Sequence, residues 1–385
     1  MSTAPATPED AAAGDVAAAL REAPFVRVVA AADGDALAAS GVLARALGER
    51  SLPFQVRVDA VPDPTPGEGD DLVVGVGVSG GDVTIDGAEP ASLVAAAAAR
   101  ELGIEPDPLL ALAGVAAADH PLDAGDAAAL LDAARELTAV DRRPGLATPT
   151  ANHSDCLAHS TLVHAPVSGD LEAATAAVST LDVPSSPTDE DRRRLASWLA
   201  IEATASSSRA AETVERALRP HATPDARFAT IEGFGDALDA VARERPGTGV
   251  ALAIRGADDL RDAVLGAWRD HARAVHDALA TATTGRYDGV LVARVDADGS
   301  DPARLATVAR LCRDFRSPEP VVLVVSAAGA AAAASVDDAR LDDATREAAR
   351  AVNAGATSAG DARQATARFD GGEVSRFITA FREAL

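Results

Sequence analysis

The sequence predicts an α/β protein in which two α/β domains are joined by a helical connector. Short β-branched runs alternate with helical patterns up to residue 137, which indicates a mostly parallel sheet, and a second alternation begins beyond residue 233. Between the two stretches, residues 169–217 show helical spacing without strand signals. The predicted ranges are 1–170 for the first domain, 171–222 for the connector and 223–385 for the second domain.

The first domain is organised around residues 25–47, FVRVVAAADGDALAASGVLARAL. Phe25 to Ala31 is a short β-branched run of the kind that forms a buried parallel strand. A turn follows at residues 33–35, where we expect Asp35 to cap a helix that begins at Ala36. Such a strand–turn–helix unit presents carboxylates or backbone N–H groups at the carboxyl edge of a sheet.

The remaining elements follow from the same two periodicities. An alanine-rich helix is predicted up to about residue 21, and residues 138–170 are predicted to be irregular. Further strands are predicted at 54–60, 71–78, 82–85, 249–254, 288–295, 320–326 and 364–369. Further helices are predicted at 90–102, 107–118, 124–137, 233–243, 257–281, 302–315, 339–351 and 373–384.

The charge balance predicts a protein of a halophile, adapted to a cytosol very rich in salt. Acidic residues number 59 against 35 basic ones, a net charge of −24, and every Lys-or-Arg position is an arginine. Dense carboxylates keep a protein surface hydrated and self-repelling at high salt. Acidity argues against a basic nucleic-acid footprint, but salt screens the repulsion, so the net charge does not exclude nucleic acid as a partner.

The expected location is the cytoplasm. Cys156 and Cys312 are the only cysteines and lie far apart in the sequence, which predicts a reducing compartment rather than a disulfide framework. The acidic, polar N-terminus does not resemble a signal peptide, and no apolar run reaches membrane-spanning length.

Two short glycine motifs have an ordinary structural interpretation. Residues 75–80, GVGVSG, match the dinucleotide pattern GxGxxG, but a strand is predicted next instead of the helix that such a site needs. Residues 296–299, DADG, lie between a strand and a helix and lack the downstream bidentate Glu of a calcium loop. Both are interpreted as turns.

The first domain resembles the DHH phosphoesterases, the superfamily that includes the RecJ exonucleases. The first family motif ends a strand with His-x-Asp-Ala-Asp-Gly and runs into a small-residue helix. In this chain its second aspartate and its glycine are Asp33 and Gly34, whereas its histidine and first aspartate fall on Val29 and Ala31. The outline of the motif is present, and two of its metal ligands are missing.

The later family motifs are also incomplete. The aspartate of the second motif falls on Gly75. The Asp-His-His that names the superfamily falls on Asp86, Gly87 and Ala88, so both histidines are absent. The aspartate of the fourth motif, which ends an apolar helix, is Asp119.

The resemblance implies a two-metal phosphoesterase site that has lost most of its ligands. In active members two manganese ions clamp the phosphate and activate a water, and the aspartate at the place of Gly75 bridges the two ions. Of the family aspartates, Asp33, Asp86 and Asp119 are retained. Asp33 and Asp119 form a residual metal site, so we expect no cofactor or a weakly held Mg²⁺ or Mn²⁺.

The second domain resembles the DHH-associated C-terminal domain, which binds single-stranded nucleic acid. Its late Gly-Gly-His loop falls on Ala359, Gly360 and Asp361, and a stretch of small residues follows. The implied nucleic-acid-binding residues are Gly360, Arg363 and Arg368. Arg310, Arg313 and Arg316 form a weaker basic stripe, equally interpretable as a solvated helix surface.

Histidines and a cysteine before the connector allow a zinc interpretation, because His and Cys are the usual zinc ligands. These residues are His153, Cys156, His159 and His164. Their spacing matches no compact zinc module. Residues 157–170 resemble instead the family segment that packs on the catalytic domain and leads into the connector.

The resemblance implies a RecJ-like protein without nuclease activity. Eukaryotes have an inactive RecJ relative that joins GINS and MCM in the replicative helicase, so GINS/MCM-type proteins are the implied partners, with single-stranded DNA or RNA as a weak ligand. Two alternatives remain open. One is an active, metal-dependent single-strand exonuclease or phosphoesterase of the RecJ type, and the other is a regulatory small-nucleotide binder with its pocket at the sheet edge.

Overall fold

A four-stranded parallel sheet lies at the centre of the first half of the chain. The structure is a computed structural model, and it describes residues 12–66, 69–204, 209–256, 258–296 and 301–385. The strands of this first sheet are β1 (Val26–Ala31), β2 (Phe54–Asp59), β3 (Leu72–Val76) and β4 (Val83–Ile85). Their order is β2-β1-β3-β4, and every pairing is parallel, as the sequence predicts.

Five helices accompany the first sheet. They are α1 (Ala13–Glu22), α2 (Gly34–Glu49), α3 (Ala91–Glu101), α4 (Pro108–Ala117) and α5 (Gly125–Leu137). Helix α2 is buried along most of its length because small residues such as Ala38 and Ala39 let α3 and α4 approach closely. It is the central helix of the first hydrophobic core.

Before the predicted connector lie β5 (Asp141–Arg142) and α6 (His153–His159). The range predicted for the connector, residues 171–222, is mainly helical: it contains α7 (Leu171–Thr180), α8 (Asp189–Thr204) and α9 (Ala210–Ala217), followed by β6 (His221–Ala222). Strands β5 and β6 pair with each other as a two-stranded antiparallel ribbon. Helix α6 lies in the segment that was predicted to be irregular, and the Asn152 side chain caps it by accepting the N–H of Asp155.

The strand predicted at residues 249–254 is wrong, because this segment is helical. The elements here are α10 (Ile231–Glu244), α11 (Pro246–Arg255) and α12 (Arg261–Thr281). Helix α11 begins with proline in its first turn and is capped at its C-terminus by Gly256, whose φ of 59° is left-handed. Its buried residues Gly249, Leu252 and Ala253 follow the helical period, and the β-branched content of the segment misled the prediction.

Helix α12 joins the two large hydrophobic cores. Val264 and Trp268 belong to the first core, which also holds α10, whereas Val275 and Leu279 belong to the second. One continuous helix therefore contributes side chains to both cores, and the change from the first core to the second falls between Trp268 and Val275. The predicted domain boundaries at 170/171 and 222/223 stay a prediction, and neither coincides with this division.

The second half of the chain forms a six-stranded sheet of order β11-β12-β10-β9-β8-β7. Its strands are β7 (Thr283–Tyr287), β8 (Val290–Val295), β9 (Val321–Ser326), β10 (Ala330–Ser335), β11 (Thr357–Gly360) and β12 (Gln364–Arg368). Of these pairings only β8–β9 is parallel, because β8 and β9 are the neighbouring strands of this sheet that are joined through a helix. The helices are α13 (Pro302–Phe315), α14 (Leu341–Val352) and α15 (Val374–Ala384).

Strands β7, β10 and β11 were not predicted. Strand β10 is almost pure alanine, a residue that is depleted in strands. Its side chains are small enough to lie between helices on both faces: Ala330, Ala332 and Ala334 contact one core, and Ala331 and Ala333 contact another. Burial between two cores, and not the intrinsic preference of alanine, therefore determines that this segment forms a strand. Within the described ranges, no helix is both long and apolar enough to cross a membrane.

Candidate functional site at the carboxyl edge of the first sheet

The retained family aspartates lie toward one edge of the first sheet. Asp33 follows the end of β1 and Asp86 follows the end of β4, and parallel strands end at the same edge. Asp119 comes two residues after Ala117, whose side chain packs against Gly34 at the start of α2. Even so, within the described ranges no group of three or more His, Cys, Asp or Glu side chains is placed to hold a metal ion.

Asp33 and Asp35 cap helices, but not as predicted. Asp33, not Asp35, caps α2: its Oδ1 accepts the N–H of Ala36 at 2.8 Å. Asp35 accepts the N–H groups of Ala91 at 2.6 Å and Ser92 at 3.0 Å, so it caps α3, which lies more than fifty residues away in the chain. The expectation that Asp35 caps its own helix is therefore wrong, because the side chain has turned towards the start of a neighbouring helix.

The surroundings of Asp33 and Asp35 disfavour their charged forms. Burial raises the pKa of the Asp33 carboxyl to about 7, and the nearby negative charge of Asp35 raises it further, against the lowering effects of its hydrogen bond to Ala36 and of the Arg243 charge. Burial likewise raises the pKa of Asp35 to about 6.

Gly75 leaves no space for the family's metal-bridging aspartate. A Cβ atom at this position would lie 2.6 Å from the carbonyl oxygen of Gly80 and 2.8 Å from that of Val78. Both are backbone atoms of the turn that follows β3, so neither can move aside as a flexible side chain would. The predicted turn at residues 75–80 is confirmed, since β4 and not a helix follows it.

Asp119 is held by a guanidinium group. Its backbone is in the left-handed region, with φ of 62°, and its N–H donates to the carbonyl oxygen of Ala116. Its carboxylate forms an ion pair with Arg216 from the last turn of α9. The other terminal nitrogen of Arg216 lies 3.6 Å from Asp314 of α13.

A second ion pair at this edge was missed by the sequence analysis. Asp239 and Arg243, one turn apart in α10, form a bidentate pair with distances of 2.9 and 3.1 Å, and both side chains are mostly buried. Asp239 also accepts the N–H of Gly34, at 3.0 Å, at the start of α2. Neither residue belongs to a family motif, and only their i, i+4 spacing is visible in the sequence.

A proline-rich loop crosses this edge of the sheet. It follows β2, and its Pro64 lies against Gly80 beyond β3. The carbonyl oxygen of Ala60 accepts a hydrogen bond from the hydroxyl of Thr366 in β12, at 2.9 Å. The loop therefore contacts the first sheet on one side and the second sheet on the other.

The proposed nucleic-acid residues lie on the β11–β12 hairpin. Gly360 ends β11 with φ of 145°, where a Cβ would lie 2.2 Å from the carbonyl oxygen of Gln364. The Asp361 carboxylate accepts the N–H groups of Arg363 at 2.6 Å and Gln364 at 2.9 Å, so it holds the turn. Arg363 is exposed at the tip and Arg368 at the far end of β12, about 17 Å apart at the usual rise of a strand.

The arginines of the predicted basic stripe each donate a hydrogen bond within the protein. Arg310 donates to the carbonyl oxygen of Thr161 at 3.0 Å, Arg313 to that of Ser335 at 2.8 Å, and Arg316 to His164 Nε2 at 2.9 Å. Arg310 and Arg313 are half-buried, and Arg316 is exposed. The two interpretations of the stripe, a basic surface and a solvated helix surface, stay predictions.

Of the histidines before the connector, His159 and His164 have hydrogen-bond partners, whereas both ring nitrogens of His153 are buried and have none among the described residues. His159 Nδ1 lies 2.9 Å from Asp155, which is also paired with Arg269. Burial raises the pKa of the Cys156 thiol to about 12, so the thiolate that binds zinc is strongly disfavoured. The DADG motif at 296–299 lies mostly outside the described residues, which end at Asp296 and resume at Asp301.

These donors do not fit a two-metal centre. The bridging position has no space for a side chain, and Asp119 is paired with an arginine. What the arrangement does instead is to bind three regions of the chain together by hydrogen bonds and ion pairs.

Comparison with other sequences identifies a relative in a salt-loving archaeon. A family model described as "Uncharacterized protein rrnAC1427, C-terminal domain" matches residues 282–383. The protein rrnAC1427 of Haloarcula marismortui is 45% identical over 378 residues, which cover 97% of this chain and 96% of that protein.

Comparison with solved structures identifies the fold. CDC45 from Entamoeba histolytica has a TM-score of 0.57 at 9% identity, covering 94% of this chain and 95% of that one. RecJ from Thermus thermophilus in complex with Mn²⁺ has a TM-score of 0.50 at 16% identity. The match covers 98% of this chain but only 55% of that RecJ chain, so this protein spans about half of its length.

Proposed function

This chain belongs to the family of the Haloarcula marismortui protein rrnAC1427 and has the RecJ-like DHH fold, and we propose that it is a catalytically inactive scaffold protein of DNA replication or repair. The fold is that of a phosphoesterase superfamily whose chemistry depends on two metal ions. A chain that keeps this fold but lacks the metal ligands can still bind other molecules at its surface, although it has no catalytic site. Its role is then to bind partners.

The observation that carries this proposal is the backbone around Gly75. Loss of a ligand by substitution alone is reversible in principle, because the space for a carboxylate remains. Here the turn carbonyls of Val78 and Gly80 fill that space, so the local backbone has adapted to the absence of any side chain. The crossing loop with Pro64 covers the same edge, and Asp119 is occupied by Arg216.

The partner class follows from the resemblance and from the likeness to CDC45. CDC45 is matched over nearly the whole of both chains, which fits the inactive relative among the DHH proteins. We propose GINS/MCM-type replication proteins as partners, in the cytoplasm of a halophile. Weak binding of single-stranded DNA or RNA through the β11–β12 hairpin is a second part of the proposal, supported by the exposed guanidinium of Arg363.

A nuclease assay tests the absence of catalysis. We expect the purified protein, in molar KCl with MnCl₂ or MgCl₂, to leave labelled single-stranded DNA and RNA intact at the level of a protein-free control. The matched variant is the double substitution Asp33→Ala, Asp119→Ala. Turnover by the wild type that disappears in this variant would establish the alternative, an active RecJ-type exonuclease or phosphoesterase.

A pull-down tests the scaffold role. Tagged protein is recovered from a native extract kept at high salt, and bound proteins are identified by mass spectrometry. We expect GINS or MCM subunits to be enriched over a tagged control protein of equal acidity. Enrichment of neither, in an extract where both are detected, contradicts the replication scaffold.

A further inference from the structure

A cavity of about 430 Å³ opens at the end of the helix layer that is remote from the family aspartates. It lies between α2, α4, α5, α10, α11 and residues 223–228, which connect β6 to α10. Arg45 of the cavity is about 16 Å along α2 from Gly34, which marks the carboxyl edge of the first sheet. The cavity is therefore separate from that edge, and its volume is in the range of binding pockets.

The floor of the cavity is apolar. It is formed by buried side chains of α4, α10, α11 and the connecting segment, namely Leu110, Ile231, Leu252 and Phe228. The ring of Phe228 stacks on the half-buried ring of Phe234, with 4.4 Å between the ring centroids. A preformed floor of this kind binds a large aliphatic or aromatic side chain, because such a side chain leaves water there without any rearrangement of the protein.

An exposed leucine lies at the mouth of the cavity. Leu137, the last residue of α5, is 72% exposed, the highest value among the large apolar side chains of the described ranges. A small molecule inside the cavity would leave this side chain in water, whereas a protein segment that crosses the mouth would cover it. The exposed leucine therefore favours a protein partner.

The charged residues of the cavity are richer in arginine than the chain as a whole. They are two arginines and two aspartates, Arg45, Arg227, Asp107 and Asp225, whereas the chain has 59 acidic and 35 basic residues. Asp107 is already used within the protein: its Oδ1 accepts two N–H groups of the first turn of α4, and its Oδ2 pairs with Arg45 at 2.7 Å. The arginines are thus the groups that distinguish this mouth from the acidic surface around it.

Arg45 and Arg227 lie side by side. Arg45 Nε donates to the carbonyl oxygen of Ala253 at 2.7 Å and Nη1 to Asp107, while its Nη2 has no hydrogen-bond acceptor among the residues that the structure describes. A Cβ built on Gly256 would lie 3.3 Å from this Nη2 and 3.7 Å from Arg227 Nη1. Planar guanidinium donors match carboxylate oxygens, so a carboxylate is the group to expect beside these arginines.

We propose that this cavity is a docking site for a short acidic segment of a partner protein. The segment inserts a large apolar side chain into the cavity and places a carboxylate beside Arg45 and Arg227. The proposal rests on the scaffold role proposed above and names the kind of segment that the scaffold binds. Two carboxylate-rich proteins repel each other except where guanidinium groups are concentrated, so the arginines decide where an acidic partner approaches. Molar salt screens these charges, so the apolar side chain supplies most of the affinity.

A peptide titration in molar KCl tests the docking site. The probe is the fluorescein-labelled peptide Gly-Asp-Leu-Phe-Asp-Gly, with Gly-Asp-Ala-Ala-Asp-Gly and Gly-Asn-Leu-Phe-Asn-Gly as controls, and binding is measured by fluorescence anisotropy. The variants are Leu137→Glu and the matched control Ile201→Glu, which makes the same change at a side chain that is 69% exposed on α8, outside the cavity lining. Circular dichroism checks that both variants are folded.

We expect the wild type to bind the probe with a Kd below about 1 mM, and to bind each control peptide more weakly, the alanine peptide by about tenfold or more. Leu137→Glu should weaken binding of the probe by about tenfold or more, and Ile201→Glu by less than about twofold. Absence of binding by the wild type, equal binding of the alanine peptide, or wild-type affinity in a folded Leu137→Glu would each overturn the docking site.

The pull-down from a high-salt extract, repeated with the same two variants, separates this proposal from the scaffold role. We expect proteins that are enriched by the wild type to be lost from Leu137→Glu and kept by Ile201→Glu. If Leu137→Glu keeps all of them, the docking site is wrong and the scaffold role stands. If the wild type enriches none, the scaffold role is wrong, and the peptide titration alone decides whether the cavity binds an acidic segment.

Discussion

Asp239 accepts the backbone N–H of Gly34 at 3.0 Å across 205 residues of sequence. Gly34 is the first residue of α2, and its N–H is one of the donors that a helix leaves without an internal partner. A carboxylate at this position also interacts favourably with the helix dipole. A distant aspartate thus holds the start of α2, the helix that follows β1.

The backbone around Gly75 should not tolerate a side chain. We expect Gly75→Ala to lower the free energy of unfolding by about 1–3 kcal/mol, since its Cβ would overlap the carbonyl oxygens of Val78 and Gly80. Denaturant unfolding in molar KCl measures this. Gly247→Ala is the matched control, because a Cβ there meets nothing within 4 Å, and it should be neutral or stabilising. Equal stability of both variants would refute the packing around Gly75.

Asp33 should make the protein more stable as the pH falls from 7 towards 4. Its pKa is about 7 in the folded protein and 3.8 as a model group, so the folded state binds more protons in this interval. An asparagine side chain at this position would keep the cap without the charge. We expect Asp33→Asn to raise stability at pH 8 by roughly 2–4 kcal/mol, allowing for the partial exposure of the residue, and to flatten the pH dependence. A variant less stable than wild type at pH 8 would contradict this.

The paired imidazoles of His164 and His276 should make the protein less stable as the pH falls, which is opposite to the effect expected for Asp33. Arg316 donates to His164 Nε2, so the His164 proton is on Nδ1 and is donated to His276 Nδ1 at 3.2 Å. His276 then donates from Nε2 to the carbonyl oxygen of Ser160 at 3.1 Å. Both rings are neutral in this arrangement.

Burial and the nearby positive charge of Arg316 lower the pKa of His164 to about 4, and burial beside His164 lowers that of His276 to about 3. The unfolded chain therefore binds more protons between pH 6.5 and 4, and stability falls as the pH falls, by on the order of 3 kcal/mol. His276→Gln should reduce this acid sensitivity relative to the wild type. Acid unfolding monitored by circular dichroism separates the two, and identical acid profiles would disprove the neutral pair.

The exposed arginines of the β11–β12 hairpin lead to a prediction about the binding of single-stranded nucleic acid. We expect Arg363→Ala, Arg368→Ala to weaken binding of a labelled single-stranded oligonucleotide and to reduce its dependence on salt, because two phosphate contacts are lost. Fluorescence anisotropy at several KCl concentrations measures both quantities. Asp361→His should not strengthen binding, since Asp361 holds the turn through the N–H groups of Arg363 and Gln364. Wild-type affinity in the double arginine variant would exclude this hairpin as a nucleic-acid site.

Local patterns were sufficient for much of the fold. The helix at residues 302–315 was predicted with the bounds that the structure has, and β1, β2 and β9 were predicted to within about two residues. These segments are either amphipathic at the helical period or continuous β-branched runs, and neighbouring residues alone decide such patterns. The helix at 246–255 and the alanine strand at 330–335 were missed, because their neighbours in space override their local preference.

The sequence by itself determined the α/β class, the parallel first sheet and the positions of Asp33, Asp86 and Asp119 at element ends, since these depend on residues close together in the chain. Only the tertiary structure decided what those positions do. The contacts of Asp239 with Gly34, and of Arg216 with Asp119 and Asp314, join residues about one hundred or more apart, and no spacing in the sequence encodes them. The absence of space at Gly75 likewise depends on where the chain turns after β3, so an empty ligand position becomes a closed one only once the backbone has folded around it.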